Sequence, residues 1–482
     1  MRPNRLSSLL LALSLAVSPL ASAEGLPDLG ESAQGDLSPA LEKKIGEATM
    51  REIRLREPSY LDDAEVGGYL NRIGHNLTAQ VEEKTQDFEF FALRDSTLNA
   101  FAMPGGFIGV HTGLIVAAQS ESELASVLAH EISHVTQRHL ARMVAKQSQG
   151  QLAALAAMVA AIVAARSNPD VAIGAAIAGQ AGAIQNQLNY SRDFEREADR
   201  LGLQLMEKGG YDIRDMANFF ERLQKFGRLY ENNAPGYLRT HPLTTERIAD
   251  MSNRIQLRPY RQVPDSLDFT LVRAKLQASG GVAEDVVTDF ETQLREGKFK
   301  SEVATRYGLA RAYLRVKNQA GAEAQLAELR RLKAASAMIE TLAAELRTRA
   351  GDAAGAIRIL RDASVRFPKD RAVAYAYVDA LLAGQKVDEA VKFAAADVLG
   401  HSTDFRMRAL QAKAYALQGR QFRQHWALGE SYALQGQTLA AIEQMQLAQK
   451  SPDGDFYDRS QVDARLRELK AQQMEEMKQK KP

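Results

Sequence analysis

The sequence predicts a mainly α-helical chain in two parts, an α+β domain with one small sheet followed by a solenoid of paired helices. Three observations predict it. A helical pattern starting near Ser120 carries His130-Glu131-Ile132-Ser133-His134. Short strand patterns separated by a Pro-Gly-Gly turn lie just ahead of it. Beyond Leu267 the chain is rich in Ala, Leu and Arg and is punctuated at Asn318, Gly351, Gly384, Gly419 and Gly436.

The whole chain sets the bounds. Its 482 residues are enough for two or three domains, each with its own core. A formal net charge of +1 offers a nucleic-acid partner no basic surface. Cysteine is absent, which excludes disulfides, thiolate metal sites, cysteine catalysis and a lipidated N-terminal cysteine. Arg2 and Arg5, the apolar run Leu9 to Val17 and the small-residue site Ala21-Ser22-Ala23 have the pattern of a cleavable signal peptide over residues 1–23. The run is shorter than the ~20 residues a bilayer span needs. Export to the periplasm is the expectation.

Residues 24–40, rich in Gly, Pro, Ser, Asp and Glu, read as a flexible lead-in. Helical patterns follow at Leu41 to Arg56 and Val66 to Val81. Phe88 to Leu93, Asn99 to Met103 and Phe107 to His111 read as strands, the last two joined by Pro104-Gly105-Gly106. Such a sheet can be core, and its edge can pair with an extended peptide. Ser120 and Glu123 form a candidate capping box, and Leu124, Val127, Leu128, Ile132 and Val135 supply the apolar stripe of the next helix.

On that helix His130 and His134 are one turn apart on one face, so both can point a ring nitrogen at one metal ion. Glu131 sits beside them, where its carboxylate can reach water at the metal. This division of labour belongs to zinc hydrolases. A catalytic zinc usually has three protein ligands. The next acidic helix offers Glu195 with Asp199 on one face and Glu197 on nearly the opposite one. If Glu195 is the ligand, Asp199 can hold a histidine ring by its other nitrogen; if Glu197 is, Asp199 faces away. Arg192, Arg196 and Arg200 also fit a merely solvated charged face. His241, ahead of Pro242, is a loop histidine at a helix start, able to ligate zinc or to stabilise an oxyanion, and Arg247 could do the latter. Between these motifs, residues 152–184 are Ala- and Gly-rich and apolar. Each half would span about 21 Å as a helix, short of the ~30 Å hydrocarbon core. They fit a packed helical hairpin, or a flap with peripheral membrane or partner contact.

His130 to His134, Ser191-Arg192-x-x-Glu195-x-x-Ala198-Asp199, and His241-Pro242 with Arg247 together resemble the zinc metallopeptidase family of HtpX and the CAAX prenyl proteases, over roughly Leu41 to Leu257. The resemblance implies a zincin-like α+β fold and one zinc per chain held by His130, His134 and Glu195. It implies Glu131 as general base, with His241 and Arg247 near the tetrahedral intermediate. The family's integral-membrane members have transmembrane helices; this chain has a signal peptide and no convincing span, and is similar to the soluble periplasmic branch with a tetratricopeptide tail. That branch implies quality control of unfolded or misassembled outer-membrane proteins, contact with the outer-membrane assembly machinery through the repeats, and a His-Pro histidine able to keep the enzyme latent.

The protease domain is expected at 41–257, a linker at 258–267 and the repeat domain at 268–482. Gly351 and Gly384 open similar stretches about one 34-residue tetratricopeptide period apart. Gly429, Tyr432, Ala441 and Ala448 make the clearest copy, and Trp426 sits one residue closer to its glycine than the repeat pattern has it. Stacked helix pairs make a concave surface for a peptide or protein. The function expected is a periplasmic zinc endopeptidase with chaperone-like activity. The alternative is mainly a chaperone or assembly scaffold with latent proteolysis.

Overall fold

A computed structural model describes residues 37–82, 86–145, 192–229 and 236–479. The expected signal peptide, most of the lead-in and the apolar segment 152–184 lie outside the described residues. No helix among the described residues is long and apolar enough to cross a membrane.

The lead-in ends earlier than 40. Ser38 caps α1 (Pro39–Arg56), accepting from the Leu41 N–H, with Pro39 in the first turn where its missing N–H costs nothing. Asp63 caps α2 (Ala64–Thr78) through the N–H groups of Glu65 and Val66. Three strands follow, β1 (Glu89–Leu93), β2 (Ala100–Met103) and β3 (Phe107–His111), in the order β1-β3-β2. β2 runs antiparallel to β3 around the expected Pro-Gly-Gly turn, whereas β1 runs parallel to β3, with Glu89 opposite Phe107 and Leu93 opposite His111. The turn needs glycine twice, at Gly105 (φ 77°) and Gly106 (φ 87°).

A short helix α3 (Thr112–Ala117) leads to α4 (Glu121–Thr136), which carries the two histidines and packs beside the edge strand β2. Ser120 caps α4 as expected, accepting from the Glu123 N–H. The reciprocal half of the capping box differs. The Glu123 carboxylate takes the Gln119 N–H at 2.5 Å and pairs with Arg222. Next come α5 (His139–Ala145), α6 (Arg192–Gly209), α7 (Arg214–Leu229), α8 (Gly236–Thr240) and α9 (Thr245–Gln256). α6 packs tightly on α4 where Gly202 meets Ala129: a Cβ on Gly202 would sit 3.2 Å from the Ala129 carbonyl carbon.

After α9 the chain passes through exposed Leu257 and Tyr260 into twelve described helices, from α10 (Leu267–Ser279) to α21 (Phe456–Gln479). Their turns put a left-handed residue at Gly351, Gly419 and Gly436, as the glycine punctuation predicts. At the other two marked turns the left-handed residue is a neighbour, Lys317 (φ 59°) or Gln385 (φ 58°), so Asn318 serves as the cap of the next helix.

The first of these helices share the core of the preceding domain. Phe269 and Val272, Tyr307, and Ile339 and Leu342 belong to one buried cluster with Tyr69, Leu70, Leu114, Ile115 and Leu128. The metal helix is fastened to the incoming chain at its own first turn. Glu121 Oε1 accepts from Ser266 Oγ at 2.7 Å, and the Glu121 N–H donates to Asp265 Oδ1 at 2.7 Å. Farther along, Arg51 on α1 donates to the Gly436 carbonyl at 2.8 Å, and Arg406 pairs with Asp62 at 3.0 Å. Between these anchors, buried Lys275 on α10 reaches Asp63 at 2.5 Å and Glu65 at 2.6 Å.

Lys275→Ala leaves two carboxylates facing each other without a cation, which is expected to cost about 3 kcal/mol in urea unfolding at pH 7. The effect is expected to have a pH signature. Burial alone would raise the Asp63 carboxyl, but the Lys275 ammonium and the Glu65 and Val66 N–H groups hold it below the usual range. Its contribution is therefore present above the unfolded pKa of ~3.9 and lost as pH falls through the lower folded value. The wild-type and variant stabilities should converge below about pH 4.

Candidate metal centre

α4 brings His130 and His134 together with both rings buried. Their Nε2 atoms face each other at 3.0 Å. α6 supplies Glu195, and His241 directly follows α8; both are buried. His130 Nε2 lies 3.3 Å from His241 Nδ1 and 3.5 Å from Glu195 Oε2. Glu195 Oε1 lies 3.4 Å from His134 Nε2 and 3.0 Å from His241 Nδ1. All four residues offer a ligand atom within 4.8 Å of one another.

These distances fit a metal. A tetrahedron of nitrogen and oxygen donors around zinc, at ligand distances of about 2.0–2.1 Å, has edges of roughly 3.4 Å. With Glu195 Oε1 as the oxygen donor, four of the distances above are edges of one such tetrahedron, and they lie between 3.0 and 3.4 Å. The chemistry agrees, since imidazole and carboxylate without thiolate suit zinc. Several buried polar atoms around the cluster lack an aligned hydrogen bond: both Glu131 oxygens, Glu195 Oε2, His130 Nδ1 and the Tyr237 hydroxyl. Such atoms are costly in a dry site unless a charge or a polar ligand meets them. For two of them an opposite charge is close though not aligned as a hydrogen bond. His130 Nδ1 is 2.9 Å from Asp199 Oδ1, and Glu195 Oε2 is 2.7 Å from Arg247 Nη1.

The surrounding shell fixes the donors. Asp199, one turn after Glu195, faces the same side, while Glu197 points away and is part-exposed. Arg247 is brought to the site, but behind the ligand cluster. Its Nε and Nη2 grip the two Asp199 oxygens at 2.7 and 2.8 Å, and its Nη1 donates to the Pro242 carbonyl at 2.8 Å. The guanidinium thus joins the carboxylates of α6 to the chain just after His241. Burial would raise both acids, but His241, His130 and His134 hold Glu195 well below the carboxylate range, and His130 and Arg247 hold Asp199 low. Burial opposes protonation of His130, yet hydrogen bonding to Asp199 and Glu195 outweighs it and raises the ring to about 9. His134 goes the other way, pushed well below the usual value by burial.

Two residues at the site were not singled out from the sequence. Tyr237 is fully buried, and its ring stacks on His241 with centroids 4.8 Å apart. Its only sequence signal is the i, i+4 spacing to His241 in a segment too short to announce itself as a helix. His139 lies beside His134, their Nδ1 atoms 2.8 Å apart. Burial pushes the His139 ring down to about 4, so it is neutral at pH 7. A small pocket of about 20 Å³ is lined by Ala102 and Met103 of β2, Pro104, His134, Val135 and Arg138. The Tyr237 N–H donates to the Leu98 carbonyl at 3.1 Å, so α8 is tied to the chain entering β2.

The model for Peptidase family M48 matches residues 65–255, and a tetratricopeptide-repeat model matches residues 347–414. The β-barrel assembly-enhancing protease of Escherichia coli is 30% identical over 478 residues, covering 98% of this chain and 97% of the relative. The chain belongs to peptidase family M48. A relative from Vibrio cholerae is 39% identical over 306 residues, 63% of each chain. A mitochondrial metalloendopeptidase of Arabidopsis thaliana is 30% identical over 199 residues, 41% of this chain and 38% of the relative. As an M48 peptidase the protein is a zinc metalloendopeptidase, with the donor cluster described above able to hold the ion.

Arg247→Ala is expected to leave Asp199 and Glu195 buried without their cation and to destabilise the zinc-free protein by about 3–5 kcal/mol in urea unfolding. Adding Asp199→Asn should recover part of that loss, because the two residues are in contact and their effects do not add.

Proposed function

We propose that this M48 peptidase is an exported, periplasmic endopeptidase of outer-membrane biogenesis, and that the conformation described is its resting state. The observation that carries the reading is the four-donor cluster at 3.0–3.5 Å spacing with Glu131 beside it. His130, His134 and Glu195 would hold zinc, and His241 Nδ1 takes the fourth corner. A catalytic zinc keeps one position open, so a centre closed by His241 is latent, and α8 must withdraw before a substrate enters. Bound zinc supplies acidified water and a Lewis acid for the scissile carbonyl. Glu131 then takes the proton from the attacking water and delivers it to the departing amine nitrogen. Its carboxylate is dry, and Oε1 lies 3.4 Å from His241 Nε2. Once displaced, His241 is placed to donate to the oxyanion. Arg247 serves as a clamp on Asp199 and Glu195.

The substrate class we infer rests on the sheet edge and on the relatives. The edge strand β2 beside the metal helix offers backbone groups with which an extended chain can pair, and unfolded or misassembled proteins present such chains. Several relatives matching nearly the whole chain carry the name β-barrel assembly-enhancing protease, which supports outer-membrane proteins as substrates and the assembly machinery as the partner of the repeats. The functional division we propose keeps the catalytic part at 41–257 and the repeats at 268–482, joined through 258–267. A signal peptide cleaved after Ala23 would deliver the chain to the periplasm, and a mature N-terminus at Glu24 is the direct check.

A second reading, mainly a chaperone or scaffold with latent proteolysis, is favoured by the closed cluster and by the core that the first repeats share with the catalytic part. Mass spectrometry of the mature protein should find one zinc per chain, lost in Glu195→Gln; zinc retained there would move the third ligand elsewhere. Glu131→Gln is expected to lower peptide cleavage by about 10²–10⁴-fold while zinc stays bound. Full biological activity in that variant would make the scaffold the main role. His241→Ala should raise cleavage by about tenfold or more if the open state is a minor population. A fall instead would make His241 a helper in the reaction and no plug.

A further inference from the structure

The two histidines of the metal helix differ in how their outer ring nitrogens are held. His130 Nδ1 faces the Asp199 carboxylate. At His134 the partner is another imidazole, His139, at 2.8 Å between the Nδ1 atoms. His139 Nε2 in turn lies 3.1 Å from Glu197 Oε2, and the same oxygen accepts from Arg142 Nη1 at 2.9 Å. Two ring nitrogens at 2.8 Å need one proton between them. If His134 Nε2 is a metal ligand, its proton sits on Nδ1 and is donated to His139. His139 must then carry its own proton on Nε2, which is the nitrogen facing Glu197. The relay has a single polarity from the ligand to a part-exposed carboxylate.

The surroundings hold this relay in place. Arg138 adopts a left-handed backbone (φ 50°) that turns the chain between α4 and α5. His139 is fully buried and stacks on Phe194 with centroids 4.5 Å apart and planes at 12°. Arg142 lies over the same Phe194 ring at 4.6 Å. Glu197, the residue that the helix-face argument turns away from the metal, is therefore tied to the centre through His139.

We propose that His139 and Glu197 are positioning residues for the metal, fixing the tautomer and ring plane of His134 through this two-step relay. The inference rests on the reading of His134 as a zinc ligand. The outer partners of metal-bound histidines typically contribute about 10–100-fold in affinity.

The test is the zinc affinity of the mature full-length protein, by competition with a chromophoric chelator, beside thermal melting of the zinc-free form. His139→Phe keeps a ring against Phe194 and removes the acceptor; zinc should bind about 10–100-fold more weakly. His139→Asn loses the stack but keeps an acceptor close to the Nδ1 position, and should bind more tightly than His139→Phe. A purely structural role predicts the reverse order, since the aromatic ring is the better packing match, and that order would overturn the proposal. So would an affinity for His139→Phe equal to wild type. Should His139→Phe fail to fold, Glu197→Ala at the part-exposed end carries the test: weakened zinc binding is expected, and unchanged affinity overturns the relay. Wild-type protein that binds no zinc would instead sink the ligand assignment itself.

Discussion

Everything at the centre depends on keeping four buried donors pointed at one another. Imidazole nitrogens and a carboxylate in a dry site gain from a cation, but each loses hydration on the way in, and nothing about the donors alone makes them converge. The Asp199–Arg247 pair supplies the convergence. The guanidinium binds Asp199 through two donors, lies against Glu195, and reaches the Pro242 carbonyl next to His241. One side chain thereby links the carboxylates of α6 to the loop that delivers the fourth donor. The close crossing at Gly202 then fixes α6 against α4 at the level of His130. Convergence is a property of the helix packing, and the ligand side chains inherit it.

The parts of this arrangement that were readable from the sequence are the local ones. An i, i+4 pair of histidines on a capped amphipathic helix needs no tertiary knowledge. The same holds for Glu195 and Asp199 sharing a face, although local geometry left Glu195 and Glu197 as alternatives and only the family resemblance chose between them. Illegible features depend on where separate elements meet. The parallel pairing of β1 with β3 places one strand beside another across an intervening strand, which periodicity does not encode. His139 reaches His134 only because Arg138, an ordinary residue by composition, takes a left-handed conformation. Tyr237 meets His241 on a five-residue helix, too short to carry a periodic signal.

The division between catalytic part and repeats is less sharp in physical terms than in sequence terms. The Ala- and Leu-rich pattern changes character near Leu267, yet the apolar core does not stop there. Glu121 belongs to the first turn of the metal helix and also holds the residues that start α10. Lys275 neutralises two acids at the start of α2. The helix that carries the metal ligands is thus held at its N-terminal end by the repeat domain and at its C-terminal end by α5 and α6. A load on the repeats has a short mechanical path to the centre, through the capped first turn and fewer than three further turns of α4.

The two ligand histidines make that path asymmetric. His130 sits in the middle of α4, backed by a carboxylate that Arg247 clamps to rigid helices on two sides. His134 sits near the end of α4, backed by a neutral ring on a short helix entered through a left-handed turn, with its final carboxylate in contact with solvent. A carboxylate partner strengthens the basicity of a metal-bound imidazole more than a neutral imidazole does. The donor set is therefore firm on the side of Asp199 and softer on the side of His139. The same soft side borders the small pocket lined by Ala102 and Met103 of the edge strand β2. A centre that must exchange His241 for a substrate needs one face that holds and one that yields, and the difference between the two partners of the H-E-x-x-H histidines supplies both.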